Sequence, residues 1–271
     1  GHEIASHGYA HVLAYEVGAK VFQQDITKAK DILEDLTGKP VRGFRAPGFG
    51  ITKETPWAFD VIKESGYEYD SSVFPASRGH GGILGWPLGP HFIETQSGHL
   101  LEIPMSVVEI FGHRLSLFGG GYLRLASKLF INWGIGRLLA RELPLVVYVH
   151  PREIDPDQPR LSLSRLRRFK CYVNLETTRP KLEWLCEAYS FHSMLDMVES
   201  YIKSSYFERR ALPVVSPMGG YVEGEASPAV SRQTIRHGLL QVEKTMASFL
   251  KPEILGPESG GIDSQPLSAN R

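Results

Sequence analysis

Segments typical of short β-strands alternate with amphipathic helical segments over residues 1–202, and this alternation constrains the fold more than any other feature. Apolar residues recur at helical spacing from Asp25 to Leu36, and Gly38 follows as a stop signal. Val41–Arg45 and Tyr67–Val73 have the composition of strands, with a helix predicted between them. Because strands that alternate with helices pair in parallel, the pattern predicts an α/β fold with a mainly parallel sheet, either open or closed into a barrel.

The same pattern continues to Ile202 and then stops. It predicts three further strands, at His2–His7, Leu100–Val108 and Leu145–Val149. It also predicts two further helices, at Ala126–Leu139 and Pro180–Tyr189, and the region ends with Phe191–Ile202. Residues 203–271 form a C-terminal extension whose composition predicts that it is largely disordered. Within the extension, residues 232–250 have the apolar spacing of one helix. We therefore divide the chain into a domain at 1–202 and an extension at 203–271.

Charge and hydropathy exclude several classes of partner. The chain has 30 basic and 30 acidic residues, so its charge gives no reason to expect a nucleic acid or an anionic membrane as the main partner. No apolar run approaches the ~20 residues that a membrane helix needs, so we expect no transmembrane segment. Two cysteines are too few for a disulfide framework. Composition therefore leaves open the oligomeric state and the compartment, either the bacterial cytoplasm or the cell envelope.

Four polar residues lie at or near the carboxyl ends of predicted strands: His7, Arg45, Asp70 and His150. Folds of this class place their chemistry at those ends, where the loops meet. The coincidence of all four predicts a functional site there.

His7 and His11 are four residues apart. If the backbone turns helical after Ser6, that spacing puts both imidazoles on one face. Neutral imidazoles that converge in this way are common ligands of a zinc-type metal. The alternative is a pair of surface or capping histidines.

The other candidates have alternatives of the same kind. His150 ends an apolar run and is placed to give a proton to a leaving group, or its ring is satisfied by a backbone carbonyl. Arg45 could hold a carboxylate by two hydrogen bonds, and the turn at Gly48 could offer a backbone N–H to an oxyanion. The alternative for both is an ordinary tight turn beside a surface arginine. Asp70 could orient a histidine or pair with Arg45, or simply begin a turn.

A glycine run precedes Tyr122. It lacks the lysine and the spacing of a phosphate-binding loop, so it predicts no nucleotide site. The functional interpretation is a turn near the site in which Tyr122 stacks on a sugar, and the alternative is a plain loop.

Taken in order, several motifs resemble the polysaccharide deacetylase family, the NodB-homology enzymes. These motifs are Gly-His-Glu-Ile-Ala-Ser-His-Gly-Tyr-Ala-His at residues 1–11, Arg-Ala-Pro-Gly-Phe at 45–49, Tyr-Asp-Ser-Ser-Val-Phe-Pro at 69–75 and Val-Tyr-Val-His-Pro at 147–151. The segments Phe118–Leu125, His150–Asp155 and Tyr172–Leu175 resemble the branch associated with exosortase and exopolysaccharide gene clusters. The resemblance covers residues 1–202.

This resemblance implies a distorted (β/α) barrel and a divalent metal, most often Zn²⁺. It implies hydrolysis of N-acetyl groups on amino-sugar residues of a polysaccharide, in exopolysaccharide biosynthesis. By the family pattern, His7 and His11 are two of three protein ligands of the metal. The first strands of the barrel, the third ligand and the general base, both aspartates, are expected upstream of Gly1. We therefore expect the 271 residues alone to be inactive and to bind metal poorly.

The resemblance also implies roles for the remaining candidates. Arg45 positions the base, the backbone N–H of Gly48 contributes to the oxyanion hole, Asp70 tunes the acid histidine and His150 is that general acid. Gly48 stands where the family more often has Tyr, Phe or Ser, and Asp70 lies in Asp-Ser-Ser rather than in the family's Asp-to-Trp spacing.

Two other functions stay open from the sequence. One is a glycan-binding relative that keeps the fold and has lost catalysis. The other is a deacetylase or deformylase that acts on a small amino sugar on a nucleotide or lipid carrier.

Overall fold

The computed structural model describes residues 2–77, 81–208 and 212–218, with side chains described up to residue 203 and again from residue 212. All of these residues belong to one compact unit. Seven α-helices, three short 3-10 helices and seven strands are present among them. The helices are α1 (Ala14–Thr37), α2 (Trp57–Glu64), α3 (Gly120–Leu125), α4 (Lys128–Leu139), α5 (Arg165–Tyr172), α6 (Thr178–Ala188) and α7 (Met194–Glu208). The strands are β1 (Gly43–Phe44), β2 (Tyr69–Asp70), β3 (His91–Thr95), β4 (Gly98–Glu102), β5 (Val108–Ile110), β6 (His113–Leu115) and β7 (Val214–Val215).

Five of these strands form one mixed sheet in the order β1-β2-β4-β3-β7. The pairs β1–β2, β2–β4 and β3–β7 are parallel, and the β3–β4 hairpin is antiparallel. Ser6 adds a single parallel bridge to Phe44 beyond β1. The strands β5 and β6 form a separate antiparallel hairpin. This arrangement confirms the predicted α/β class.

Helix α1 covers one face of the sheet together with α2. Phe22, Ile26 and Ala29 recur at the three- and four-residue spacing of a helix and are buried in this core. The helix ends where Gly38 takes a left-handed conformation at φ 62° and its N–H bonds to the Glu34 carbonyl. The predicted segment from Asp25 to Leu36 is therefore helical, and the helix begins earlier, with a break at Gly18.

The opposite face packs on α7. Tyr69, Leu101 and Ile103 face a core that includes Val198 of that helix. A third apolar cluster joins β5, α4 and α6, with Leu117, Ile131, Ile135 and Leu185 at its centre. These cores fix the loops that follow β1, β2 and β4 at one edge of the sheet.

Two predicted strands differ from the structure. Leu145–Val149 forms no ladder: Tyr148 makes one bridge to Gly119, and the side chain of Ser106 accepts the N–H of Val146. The backbone N–H groups of Val146 and Tyr148 thus donate to the loop residues Ser106 and Phe118, not to a neighbouring strand. The predicted strand His2–His7 is likewise reduced to the single bridge at Ser6.

The predicted boundary at residue 202 falls inside α7, which runs to Glu208. Beyond that helix, β7 pairs with β3 through Phe92 and Ile93. Part of the segment that we assigned to the extension therefore contributes to the sheet. The helix predicted at 232–250 lies outside the described residues. No helix in the described part of the chain has both the length and the apolar composition to cross a membrane.

Candidate active site

Three parallel strands bring polar residues to one edge of the sheet. Arg45 follows β1, Asp70 ends β2, and Glu102 ends β4 directly opposite Asp70. His7 lies one residue beyond the bridge that joins Ser6 to β1. The structure thus brings together His7, Arg45 and Asp70, three of the four residues predicted at strand ends, and it adds Glu102 to them.

The loop between Ser6 and α1 carries both His7 and His11. It is not helical, so helical spacing is not what orients the two imidazoles, and His11 has a positive φ of 56°. The two rings still lie side by side, with centroids 5.1 Å apart and planes at 79°. Asp25 shapes this loop, because its carboxylate accepts the N–H groups of Tyr9 at 2.9 Å and Ala10 at 2.7 Å.

The Nδ1 atom of His7 lies 2.6 Å from the carbonyl oxygen of Arg45. A carbonyl can only accept, so Nδ1 carries the proton and Nε2 is left with its lone pair. Partial desolvation lowers the pKa of His7, and the nearby charges of His11, Arg45 and His150 lower it further, against the opposing hydrogen bond to Arg45. The ring is therefore held neutral near neutral pH.

This arrangement fits a metal-ligating histidine, whose other ring nitrogen usually donates to a carbonyl or a carboxylate. His7 and His11 supply two of the three protein donors that a catalytic zinc usually takes. Among residues 2–77, 81–208 and 212–218, no group of three or more histidine, cysteine or carboxylate side chains is placed to hold a metal.

Arg45 points its guanidinium into the protein. Its Nε donates to the Ser71 carbonyl at 2.9 Å and its Nη2 donates to Ser71 Oγ at 2.7 Å. Burial lowers the pKa of Arg45, while the negative charge of Asp70 and Glu102 opposes that effect. No described residue hydrogen-bonds its Nη1, which is free to receive a carboxylate.

The turn after Arg45 is a short 3-10 helix at Pro47–Phe49. Gly48 takes φ 63° there, a conformation that glycine adopts without strain. The N–H groups of Ala46 and Phe49 are used by Ser72 Oγ and by the Ala46 carbonyl. The N–H of Gly48 has no hydrogen-bond partner among the described residues, so it is available to an oxyanion.

Asp70 has different partners from those we predicted. Its Oδ1 accepts Ser72 Oγ at 2.5 Å, and its other carboxyl oxygen faces Glu102. Burial raises the pKa of Asp70 to about 6 and raises the pKa of Glu102 well above its usual value. Two buried carboxyl groups beside each other share one proton, because both cannot ionise there. Asp70 makes no hydrogen bond or ion pair with a histidine among the described residues, and the tuning of His150 by Asp70 stays a prediction.

The side chain next to His150 is Glu153, which the sequence analysis missed. Its Oε2 lies 3.2 Å from Nδ1 of His150 and accepts the His150 backbone N–H at 3.0 Å. The other oxygen, Oε1, forms an ion pair with Arg124 Nε at 3.3 Å. The spacing His-x-x-Glu across a Pro-initiated turn is the signal that could have identified this pair.

Aromatic rings connect His150 to the turn at Gly48. The ring of Tyr148 lies 6.2 Å from that of His150 and 5.2 Å from that of Phe49. The same ring is 6.5 Å from Phe74.

Phe74 also lines a cavity of about 400 Å³ whose mouth includes the half-exposed Tyr122 and Phe130. Tyr122 is thus on a neighbouring surface, not in contact with the histidines.

Two family profiles match the chain in succession. The polysaccharide deacetylase family matches residues 1–69, and a domain of unknown function (DUF3473) matches residues 71–199. The first match contains His7, His11, Arg45 and Gly48, and the second contains His150 and Glu153. The match to the deacetylase family thus covers 69 of the 271 residues.

Two curated relatives are named as a peptidoglycan deacetylase and a peptidoglycan deacetylase-like protein. A peptidoglycan deacetylase of Helicobacter pylori is 32% identical over 73 residues, which are 27% of this chain and 24% of that protein. The peptidoglycan deacetylase-like protein FGM2 of Gibberella zeae is 36% identical over 73 residues, 27% of this chain and 21% of that protein. The chain thus spans less than a quarter of the length of either relative.

Among solved structures, a probable polysaccharide deacetylase of Pseudomonas aeruginosa PAO1 aligns with a TM-score of 0.45 and 18% identity. The alignment covers 76% of this chain and 61% of that one.

Proposed function

We propose that this protein is a metal-dependent hydrolase that removes N-acetyl groups from amino-sugar residues of a polysaccharide, in exopolysaccharide biosynthesis. The observation that carries the proposal is that the His7–His11 pair and the Gly48 turn lie at one edge of the sheet, with His150 linked to that turn through the ring of Tyr148. The match of residues 1–69 to the polysaccharide deacetylase family supports the reaction. The second matched domain, typical of exopolysaccharide-associated deacetylases, supports the biosynthetic role.

The family is generally metal-dependent, and His7 and His11 would hold the metal. When bound, a divalent metal supplies Lewis acidity to the acetyl carbonyl and acidity to a water. The Nε2 atom of His7 would bind the metal through its lone pair, since the Nδ1–H of His7 donates to the Arg45 carbonyl.

The remaining chemistry, apart from the carboxylate base that takes the proton of the water, falls to residues of this chain. Water adds to the acetyl carbon, and the N–H of Gly48 donates a hydrogen bond to the oxygen as negative charge develops on it. The C–N bond then breaks, and His150, protonated on both ring nitrogens, gives its Nε2 proton to the departing amine nitrogen. Acetate and the free amino sugar are the products. Arg45 has a free Nη1 with which to orient the carboxylate that takes the proton of the water.

The cavity beside Tyr122 is the proposed place for a neighbouring sugar of the polymer. Its lining combines the rings of Tyr122, Phe130 and Phe74 with the serines Ser77 and Ser116. Aromatic faces pack on the apolar faces of pyranose rings, and hydroxyl groups bind their hydroxyls. Because the rings of Tyr122 and Phe130 are partly exposed, a polysaccharide bound there could continue from the cavity into solvent.

The test is release of acetate by the full natural protein with its metal. N-acetylated polysaccharides and small carrier-linked N-acetyl and N-formyl amino sugars are compared as substrates, and acetate and formate are measured by mass spectrometry. We expect acetate from the polysaccharide and at most a trace from the small sugars. Release from small sugars alone would replace the proposal by the carrier-linked function, and polymer binding without release would replace it by a glycan-binding function.

A further inference from the structure

His150 and Glu153 differ sharply in exposure. The imidazole of His150 is 53% exposed, whereas the whole of Glu153 is 2% exposed. A ring that projects into the site would rotate freely without an anchor. The buried carboxylate supplies one, because its Oε2 lies 3.2 Å from Nδ1 and accepts the backbone N–H of the same residue.

The contact also sets which ring nitrogen carries the proton. Burial alone would raise the pKa of Glu153, but hydrogen bonds from His150 and the charge of Arg124 outweigh it and lower the pKa. Glu153 is therefore ionised and can only accept. The proton of a neutral His150 then lies on Nδ1, and Nε2 points to the exposed side.

Arg124 fixes the carboxylate from behind. Its Nε pairs with Glu153 Oε1 at 3.3 Å, and its Nη1 and Nη2 donate to the carbonyls of Lys170, Cys171 and Val173 at the end of α5. Those carbonyls are the unpaired end groups of a helix and favour a cation. The two oxygens of Glu153 are thus held by different groups, Oε1 by Arg124 and Oε2 by the backbone N–H of His150.

We propose that Glu153 is the positioning residue of His150: it holds the imidazole with Nδ1–H inward so that Nε2 faces the leaving nitrogen. This inference rests on the proposed function and adds a residue to its site. Asp70, the other acidic candidate for orienting His150, instead contacts Ser72 and Glu102. Glu153 touches no substrate and acts only through the ring.

A double-mutant cycle tests this role in the full natural protein. Glu153→Gln keeps the size of the side chain and removes its charge, and His150→Gln removes the acid. We expect Glu153→Gln to lower kcat on the order of 10- to 1,000-fold with little change in KM. In the His150→Gln background the same change should alter kcat by less than about threefold, because its only route is gone. Glu183→Gln, on the exposed side of α6, is the matched control and should leave kcat unchanged.

If Glu153 were only structural, Glu153→Gln would lower kcat by the same factor in wild type and in His150→Gln, and that outcome overturns the proposal.

A measurement on the unmutated 271-residue chain guards against a variant that does not fold. Proton–nitrogen correlation spectra above the pKa of the ring report the tautomer of His150, with His150→Gln used to assign its signals. We expect the Nδ1–H form, and a dominant Nε2–H form would overturn the proposal. This readout needs no turnover, so a protein without deacetylase activity would refute the proposed function and leave the tautomer result standing.

Discussion

Asp70 and Glu102 lie directly opposite each other on the parallel strands β2 and β4, and both are fully buried. Asp70 Oδ2 and Glu102 Oε2 have no hydrogen-bond partner other than each other among the described residues. One shared proton satisfies both oxygens and leaves the pair with a single negative charge opposite Arg45. The pair connects the sheet to the Gly48 turn, because Asp70 accepts Ser72 Oγ and Ser72 Oγ accepts the Ala46 N–H.

The first prediction concerns stability against pH. The pKa of Asp70 is about 6 in the folded protein, against 3.8 ordinarily, and the pKa of Glu102 is raised as well. The folded state therefore binds more protons than the unfolded state above about pH 4. The contribution of Asp70 is fully present below about pH 4 and is lost as the pH rises through 6, and the contribution of Glu102 is lost as the pH rises through its own raised pKa. In Glu102→Gln the amide N–H replaces the shared proton at every pH. We expect this variant to gain on the order of 1–3 kcal/mol over wild type between pH 5 and pH 8.

Urea unfolding at pH 5, 6, 7 and 8 measures the difference. Glu64→Gln, at the exposed end of α2, is the control and should follow wild type. A difference between Glu102→Gln and wild type that is the same at all four pH values would contradict the shared proton.

The second prediction concerns Asp25, which holds the loop of His7 and His11. Asp25→Ala leaves the N–H groups of Tyr9 and Ala10 without their acceptor. We expect a loss of about 1–3 kcal/mol in the free energy of unfolding and weaker zinc binding by the histidine pair. Asp31→Ala, exposed on the same helix, should stay within about 0.5 kcal/mol of wild type. Chemical unfolding and calorimetric zinc titration measure the two effects, and unchanged values for Asp25→Ala would refute the role of the loop.

The third prediction compares two glycines. A Cβ on Gly119 would lie 2.2 Å from the ring of Tyr148, whereas a Cβ on Gly136 in α4 would meet no atom within 4 Å. Gly119→Ala should therefore cost about 1–3 kcal/mol by displacing Tyr148, and Gly136→Ala should gain about 0.5–1 kcal/mol. Thermal unfolding distinguishes them. Equal effects of the two changes would show that Tyr148 is not packed against this glycine.

The fourth prediction concerns the cavity beside Tyr122. Tyr122→Ala removes a half-exposed ring from its mouth and should raise KM for the polysaccharide about 2- to 12-fold, the equivalent of about 0.5–1.5 kcal/mol of stacking, with kcat little changed. Tyr122→Phe keeps the ring and should keep KM. Steady-state kinetics on the polymer test this, and a KM that rises equally in both variants would assign the effect to the hydroxyl instead.

The sequence predicted those parts of the fold that depend on local pattern. The end of α1 at Gly38 and the positions of Arg45 and Asp70 at strand ends follow from periodicity and stop signals. The Asp70–Glu102 contact does not, because it depends on the register of two strands separated by a hairpin in the chain. A run of five apolar residues at Leu145–Val149 indicated a strand, yet Ser106 and Phe118 satisfy its backbone from loops.

Which site residues lie close together likewise depends on tertiary contacts that local sequence pattern does not contain. The spacing of His7 and His11 suggested a helix, whereas a loop held by Asp25 brings their rings together. Glu153 was within reach of sequence reasoning, since it lies three residues after His150 in a turn that begins with proline.

Loss of acetate release in single histidine variants tests the central claim most directly. The full natural protein is assayed with an N-acetylated polysaccharide, as wild type and as the variants His7→Ala, His150→Gln and His113→Ala, the last an exposed control on β6. We predict that His150→Gln lowers kcat by about 10²–10⁴-fold, that His7→Ala lowers it comparably, and that His113→Ala retains wild-type activity. Acetate release at the wild-type rate by His7→Ala or His150→Gln would contradict the assignment of this sheet edge as a deacetylase site.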